Sequence, residues 1–141
     1  MNKLKVAFLC THNSCRSQMA EAITKLKYPD SIEPYSAGTT LKDRINPDAV
    51  RLVKERYKID MEDEQKPKLL YDIPPVDIVI TMGCGVVCPL LPYDYYEEDW
   101  GLDDPTGQPD EEYFKVMDTI EGKLVGLAGR YEEYIKNKNN V

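Results

Sequence analysis

Short apolar runs alternate along this chain with stretches in which apolar residues recur every three or four positions. Residues 5–10, with the sequence KVAFLC, form a run typical of a buried strand in a parallel sheet. After the polar segment THNSCR, residues 17–26 place apolar side chains at helical spacing, which predicts a helix that faces the core. Residues 33–37, ended by Gly38, predict a second strand, and Pro47 marks the first turn of a second helix.

The second half of the chain repeats this alternation around a long polar loop. Residues 76–82, with the sequence VDIVITM, form the strongest predicted strand. Residues 90–108 are rich in Pro, Asp, Tyr and Gly, which predicts a long ordered loop with a short strand around Trp100. From Asp110 to Tyr134 apolar residues repeat at helical spacing, so we expect one helix that its glycines weaken without stopping, followed by a frayed tail.

This order of elements predicts one α/β domain over residues 1–141, with a central four-stranded parallel sheet and helices on both faces. Ligands in such sheets bind at the carboxyl ends of the strands. Cys10, Cys84 and Asp104 each follow a predicted strand. We therefore expect one crevice at that edge to collect all three side chains.

Composition and charge narrow the classes of partner. The chain carries 18 Lys and Arg against 25 Asp and Glu, for a formal net charge of −7, and its scattered basic residues argue against nucleic acid as a partner. It has no apolar run long enough for a bilayer and no N-terminal signal-peptide pattern. We expect a cytoplasmic monomer whose four cysteines are thiols. The negative field opposes an anionic substrate, so an anion site needs its own local positive potential.

The segment CTHNSCR places Cys10 and Arg16 six positions apart, between a predicted strand and a predicted helix. Backbone N–H groups in such a loop converge on a tetrahedral oxyanion, the helix N-terminus adds partial positive charge, and a guanidinium completes a bidentate clamp. The same donors stabilise a cysteine thiolate as a nucleophile. We predict an oxyanion site in which Cys10 and Arg16 are catalytic and Ser17 can hydrogen-bond the sulfur. The oxyanion-binding loop also contains Thr11, His12, Asn13, Ser14 and Cys15, and we assign no chemistry to Cys15.

Taken singly, these residues have commoner explanations. A cysteine in a strand usually serves core packing, and an arginine at the start of a helix is usually a surface cation. The coincidence of strand, polar loop, Arg-Ser pair and amphipathic helix favours the catalytic interpretation. His12, the only histidine, invites a catalytic role, but an exposed loop position is the simpler explanation.

Three motifs make the chain resemble the low-molecular-weight tyrosine phosphatase superfamily, and especially its arsenate reductase branch. They are CTHNSCRSQMAE from Cys10, YSAG from Tyr35 and DDP from Asp103, and the resemblance covers essentially the whole chain. Phosphatases of this superfamily usually have proline where this chain has Gln18 and an aromatic residue where it has Thr106, and both departures favour the reductase branch. The resemblance implies a phosphotyrosine phosphatase I-like fold and reduction of arsenate through cysteine chemistry, without a cofactor.

Cys84 and Cys88 lie four residues apart in the segment TMGCGVVCP. Reduction of arsenate needs two electrons, which thiols supply by becoming a disulfide. By resemblance, Cys10 forms an adduct with arsenate, Cys84 attacks Cys10 to expel arsenite, and Cys88 then takes Cys84 into a disulfide for an external reductant. Thioredoxin is the expected reductant, but the short loop is also similar to those of reductases served by small thiols, so both stay open.

A proton donor for the leaving oxygen is the remaining catalytic requirement. Asp104, directly before Pro105, matches the family's general acid, and the proline keeps the preceding residue extended. On spacing alone the run DDPTG is an ordinary turn, in which Asp103 is easily confused with Asp104.

We predict no metal ion. A structural zinc site and plain buried thiols are the two alternatives to redox chemistry for the cysteine pair. Zinc would need more paired ligands than four cysteines and one histidine provide. Some reductases of the family bind potassium through equivalents of Asn13, Glu21 and Ser36 together with a later Thr and Asp, where this chain has Gln65 and Pro67.

Three functions are therefore in competition. Arsenate reduction uses the loop together with Cys84 and Cys88. Phosphotyrosine hydrolysis through a Cys10 phosphoenzyme needs only the loop and Asp104. A redox-responsive or anion-binding regulator would use the cysteine pair only to switch its shape.

Overall fold

The apolar runs form the strands of one parallel sheet in the computed structural model, which describes residues 3–83 and 91–139. Within these ranges the sheet has four strands in the order β2-β1-β3-β4. Their bounds are β1 Leu4–Cys10, β2 Ile32–Gly38, β3 Ile78–Thr81 and β4 Tyr96–Asp99. The carboxyl ends of β1 and β2 lie side by side because Cys10 pairs with Gly38.

The helices begin where the sequence provides start signals. The described helices are α1 Arg16–Lys27, α2 Pro47–Tyr57, α3 Met61–Glu64, a 3₁₀ helix Leu70–Asp72, α4 Asp110–Leu124, α5 Leu127–Arg130 and α6 Glu132–Asn139. Asn46 caps α2 by accepting hydrogen bonds from the N–H groups of Asp48 and Ala49. Within the described chain, no helix is long and apolar enough to cross a membrane.

Two clusters of buried apolar side chains pack against opposite faces of the sheet. The larger takes alternate residues of β1, such as Val6 and Phe8, together with apolar residues of α1, α2 and α4. The smaller contains Ala7 and Leu9 of β1, and the 3₁₀ helix covers it with Leu70. Burial on both faces explains why β1 is apolar at every position except Lys5.

The α/β class, the parallel four-stranded sheet and the first two β-α units are confirmed. The strand expected around Trp100 is β4, which ends one residue earlier, at Asp99. The single long C-terminal helix is wrong: α4 ends at Leu124, and Gly126 adopts a left-handed φ of 77° before α5 begins. The tail expected to fray is helical as far as Asn139.

Candidate active site

The loop between β1 and α1 is held against the end of β2. Cys10 is the last residue of β1 and Arg16 the first of α1. The backbone N–H groups of Thr39 and Thr40 donate to the carbonyl of Thr11 at 3.1 and 2.9 Å. Cys15, the residue before α1, does not cap the helix with its side chain. The first N–H groups of α1 therefore face the loop without an acceptor from that side chain.

Asn13 fixes the direction of the hydrogen bonds that reach the nucleophile. Its Oδ1 accepts from the backbone N–H of Lys68 at 2.9 Å, which identifies that atom as the oxygen. Its Nδ2 therefore donates to Ser17 Oγ at 2.9 Å. Ser17 Oγ lies 2.7 Å from Cys10 Sγ, and since it already accepts from Asn13 its own hydrogen is free to point at the sulfur. Cys10 itself is buried, with only 4% of the residue exposed.

Arg16 is buried with 3% exposure, and its guanidinium is anchored by the protein backbone. Nη1 donates to the carbonyl of Leu102 at 2.9 Å and to that of Met82 at 3.2 Å. Its Nε has no hydrogen-bond partner among residues 3–83 and 91–139. A buried donor without a partner is costly, and an oxyanion bound beside Cys10 would satisfy it.

A cavity of about 170 Å³ opens at this edge of the sheet. The residues that line it come from residues 10–16 between β1 and α1, here called the oxyanion loop, from the loop after β2 and from the segment after β4. They are Cys10, Thr11, His12, Ser14, Cys15, Arg16, Lys42, Asp104 and Thr106. Asn13 and Ser17 support the loop from behind. The structure thus brings Cys10, Arg16 and Asp104 to one cavity, with His12 at its exposed edge.

The structure distinguishes Asp104 from its neighbour Asp103. Both residues are exposed, but only Asp104 lines the cavity. Asp104 Oδ1 accepts hydrogen bonds from the hydroxyl of Thr106 at 2.7 Å and from its N–H at 3.1 Å. Thr106 therefore orients the carboxyl group for which the resemblance predicts the role of proton donor.

Cys15 shares the cavity with Cys10 but has a different environment. Burial raises the pKa of the Cys15 thiol well above its usual range, and the nearby Asp104 and Cys10 act in the same direction. Cys15 therefore stays protonated, as a packing residue does.

The second predicted thiol pair, Cys84 and Cys88, lies outside the described residues. The chain is described up to Gly83, directly after β3, the strand that pairs with β1. The N–H of Met82 donates to the carbonyl of Leu9 at 2.9 Å, so this chain leaves the sheet next to the end of β1.

A lysine that the sequence does not single out lies close to the oxyanion loop. The ammonium of Lys68 is 3.4 Å from both Glu21 Oε1 and Ser36 Oγ, and Ser36 donates to that carboxylate at 2.6 Å. Burial lowers the pKa of Lys68, with Glu21 opposing the change. The two positions at which the resemblance would place the later potassium ligands are Gln65 and Pro67, which precede Lys68 in the chain. Among the described residues, no group of three or more His, Cys, Asp and Glu side chains is placed to hold a metal.

Comparison with known proteins places the whole chain in a family. The family described as low molecular weight phosphotyrosine protein phosphatase matches residues 5–140. Arsenate reductase 1 of Staphylococcus epidermidis is 38% identical over 133 residues, which are 92% of this chain and 99% of that protein.

Two solved structures agree with this match. An arsenate reductase in the phosphate-binding state has a TM-score of 0.76 at 33% identity, over 90% of this chain and 98% of that one. The thioredoxin-dependent arsenate reductase of Corynebacterium glutamicum has a TM-score of 0.68 at 31% identity, over 96% of this chain and 63% of that one. With sequence and fold in agreement from one end to the other, the chain belongs to the low molecular weight phosphotyrosine protein phosphatase family.

Proposed function

We propose that this protein reduces arsenate to arsenite, with Cys10 as the nucleophile. The observation that carries the proposal is the buried Arg16, whose Nε has no partner in the described chain and which lines one cavity with Cys10. A tetrahedral oxyanion supplies the missing acceptor. The similarity to arsenate reductases, one of them solved in a phosphate-binding state, supports arsenate as that oxyanion.

The first step is displacement at arsenic. The loop N–H groups and Arg16 hold the arsenate oxygens, and the Cys10 thiolate attacks the arsenic atom to form a sulfur–arsenic bond. A hydroxyl group of arsenate receives one proton and departs as water. Asp104 lines the same cavity and is the residue we assign as the donor of that proton.

The second step transfers two electrons. The thiolate of Cys84 attacks Cys10 Sγ, the sulfur–arsenic bonding pair stays on arsenic, and arsenic(V) leaves as arsenite with arsenic(III). This step leaves a Cys10–Cys84 disulfide. Cys88 then attacks Cys84, which releases the Cys10 thiolate and leaves a Cys84–Cys88 disulfide for an external thiol to reduce. The position of Gly83 after β3, the strand that pairs with β1, supports Cys84 as the partner of Cys10.

The reductant is thioredoxin or a small thiol, and we favour thioredoxin because a structural neighbour is thioredoxin-dependent. Either reductant requires a reducing compartment, so we place the reaction in the cytoplasm. We further propose that the protein acts as a monomer, since the residues assigned to the reaction all belong to one chain.

Phosphotyrosine hydrolysis is the second candidate, and the family match favours it. It needs Cys10, Arg16 and Asp104 but not Cys84 or Cys88, because water clears the phosphoenzyme. In the described chain, however, no Phe, Tyr or Trp lines the cavity to hold an aryl group, and Thr106 stands there instead.

Replacement of Cys84 by Ser separates the two functions. We expect Cys84→Ser to stop repeated turnover of arsenate with thioredoxin while para-nitrophenyl phosphate hydrolysis stays within about twofold of wild type, since only the reduction step uses Cys84. Mass spectrometry of wild type after arsenate treatment should find the Cys84–Cys88 disulfide, which Cys84→Ser cannot form. Cys88→Ser, the matched variant, should instead accumulate the Cys10–Cys84 disulfide.

Cys10→Ser is the control for both functions. A serine hydroxyl is far less acidic than a thiol, so this variant should lose arsenate reduction and phosphate ester hydrolysis alike. Reduction of arsenate by Cys84→Ser at the wild-type rate would contradict the relay and would favour direct attack of an external thiol on the Cys10 adduct.

A further inference from the structure

The loop after β2 is fastened to the oxyanion loop at both ends. At its start Thr40 N–H donates to the carbonyl of Thr11 at 2.9 Å. At its end Asn46 N–H donates to the carbonyl of Ser14 at 2.8 Å, and Ser14 Oγ donates to the carbonyl of Arg44 at 3.2 Å. The residues between these attachments are therefore held beside the mouth of the cavity.

Lys42 lies in the middle of this loop and lines the cavity with Cys10 and Arg16. Cys10 and Arg16 are buried, whereas Lys42 is exposed, so the lysine belongs to the mouth of the cavity and the other two to its floor. Within residues 3–83 and 91–139 the Lys42 ammonium has no ion pair or hydrogen bond. Its charge is therefore available to an anion.

The charges in the cavity leave a need for a second cation. When Cys10 attacks as a thiolate, the positive charge of Arg16 faces that thiolate and an incoming anion with more than one negative charge. The molecule as a whole adds repulsion, with a net charge of −7. A lysine at the mouth offsets this repulsion where the anion enters.

We propose that Lys42 is a specificity-determining residue that pairs with the outward oxygen of a free inorganic oxyanion and disfavours phosphate esters. The inference rests on the oxyanion chemistry of the proposed function. The loop and Arg16 hold the inner oxygens, so the remaining oxygen points to the mouth. In free arsenate or phosphate that oxygen belongs to a hydroxyl or oxide group, and either form can accept a hydrogen bond from Lys42; Asp104 then protonates the hydroxyl form in the reaction. In an aryl ester it carries a neutral ring, for which the described lining offers no aromatic partner.

The test compares Lys42→Gln with wild type on two ligands. The dissociation constant of inorganic phosphate, measured by isothermal titration calorimetry, should rise about tenfold, the effect of one lost charge-assisted hydrogen bond. The KM for arsenate should rise by a similar factor with kcat nearly unchanged. The KM for para-nitrophenyl phosphate should change by less than about threefold.

Two further variants make the test specific. Lys42→Arg keeps the charge and should restore phosphate binding to within about threefold of wild type. Lys54→Gln removes the same charge from the last turn of α2, away from the cavity lining, and should leave phosphate binding unchanged. The gap between wild type and Lys42→Gln should narrow as ionic strength rises.

Unchanged phosphate affinity in Lys42→Gln would overturn the proposal, and so would equal weakening of phosphate and para-nitrophenyl phosphate. Failure of the proposed function is a separate outcome. If wild type does not reduce arsenate with any reductant, calorimetry with phosphate still decides the role of Lys42.

Discussion

Gly38 is a residue whose lack of a side chain shapes the site. A Cβ atom at this position would lie 2.5 Å from the carbonyl oxygen of Thr40 and 2.9 Å from the backbone nitrogen of Asn13. Both are backbone atoms, so a shift of either would move the oxyanion loop or the loop after β2, which carries Lys42. Asn13 itself has a φ of 50°, so the loop is already held in a left-handed conformation at the point of contact.

We expect Gly38→Ala to destabilise the protein by about 1–3 kcal/mol, as overpacking of a close contact does. It should also weaken phosphate binding, because the displaced backbone belongs to the oxyanion loop. Gly122→Ala is the matched control: no atom lies within 4 Å of its added Cβ, and it sits inside α4, where alanine should stabilise by about 0.5–1 kcal/mol. Urea unfolding of both variants provides the measurement, and equal stabilities would show that the contact at Gly38 relaxes freely.

Asn46 connects α2 to the segment that carries Asp104. Its Oδ1 caps α2 through the N–H groups of Asp48 and Ala49 at 2.8 and 3.3 Å. Its Nδ2 donates to the hydroxyl of Tyr113 in α4 at 3.2 Å and to Thr106 Oγ1 at 3.3 Å. One amide therefore joins two helices to the threonine that orients the proposed proton donor.

Asn46→Ala should lower the free energy of unfolding by about 1–2 kcal/mol, because α2 loses its cap. Asn46→Asp keeps the cap acceptor and should recover most of that stability, but it removes the donor to Thr106. We therefore expect kcat for arsenate to fall in both variants while stability falls mainly in the alanine variant. Chemical denaturation and steady-state kinetics check this, and an alanine variant as stable as wild type would show that the cap contributes nothing.

The strength of local signals decided which elements the sequence predicts. β1, α1, β2 and α2 have clear periodicity and clear ends, and their predicted positions agree with the structure within about two residues. The C-terminal segment keeps helical periodicity across α4, α5 and α6, so nothing in the pattern reveals the break. That break depends on the backbone of Gly126, whereas Gly122 and Gly129 stay within helices.

The residues of the candidate site also divide into those that a local signal identifies and those that only the fold brings together. Residues in the contiguous segment from Cys10 to Ser17, and Asp104 beside Pro105, are identifiable because spacing and resemblance point to them. Lys42 and Lys68 carry no motif, and they reach the site only through the loop attachments and through the hydrogen bond from Lys68 N–H to Asn13. Such contacts are long-range in sequence, so they follow from the fold and not from local pattern.

Two carboxylates, one just before β3 and one in β4, attach the C-terminal helices to the rest of the molecule. Asp77, just before β3, accepts hydrogen bonds from the N–H of Lys5 at 2.8 Å, the hydroxyl of Tyr134 at 2.8 Å and the ammonium of Lys138 at 3.0 Å. The carboxylate of Glu98 in β4 likewise accepts hydrogen bonds from Arg130 and from the hydroxyl of Tyr131. The fold of α5 and α6 against the sheet therefore depends on charged groups.

These contacts make the stability of the folded protein depend on pH in the acidic range. Burial alone would raise the pKa of Asp77, but the hydrogen bonds from Lys5, Tyr134 and Lys138 outweigh it, so the pKa lies below its ordinary value. A carboxyl group with a depressed pKa in the folded state stabilises the protein fully above the unfolded value, near pH 4. The stabilisation is then lost as the pH falls through the lower, folded value.

Asp77→Asn should therefore be less stable than wild type by about 1–3 kcal/mol at pH 7, the range for hydrogen bonds to a charged group. Because asparagine does not titrate, the difference should stay constant down to about pH 4 and narrow below it. Hydrogen exchange should increase first in α6, which holds both Tyr134 and Lys138. Glu133→Gln removes the same charge from the exposed first turn of α6 and should change stability by only about 0.3–1 kcal/mol, without the narrowing of the difference below pH 4 expected for Asp77→Asn. A stability difference that widens below pH 4 would contradict the role assigned to the Asp77 carboxylate.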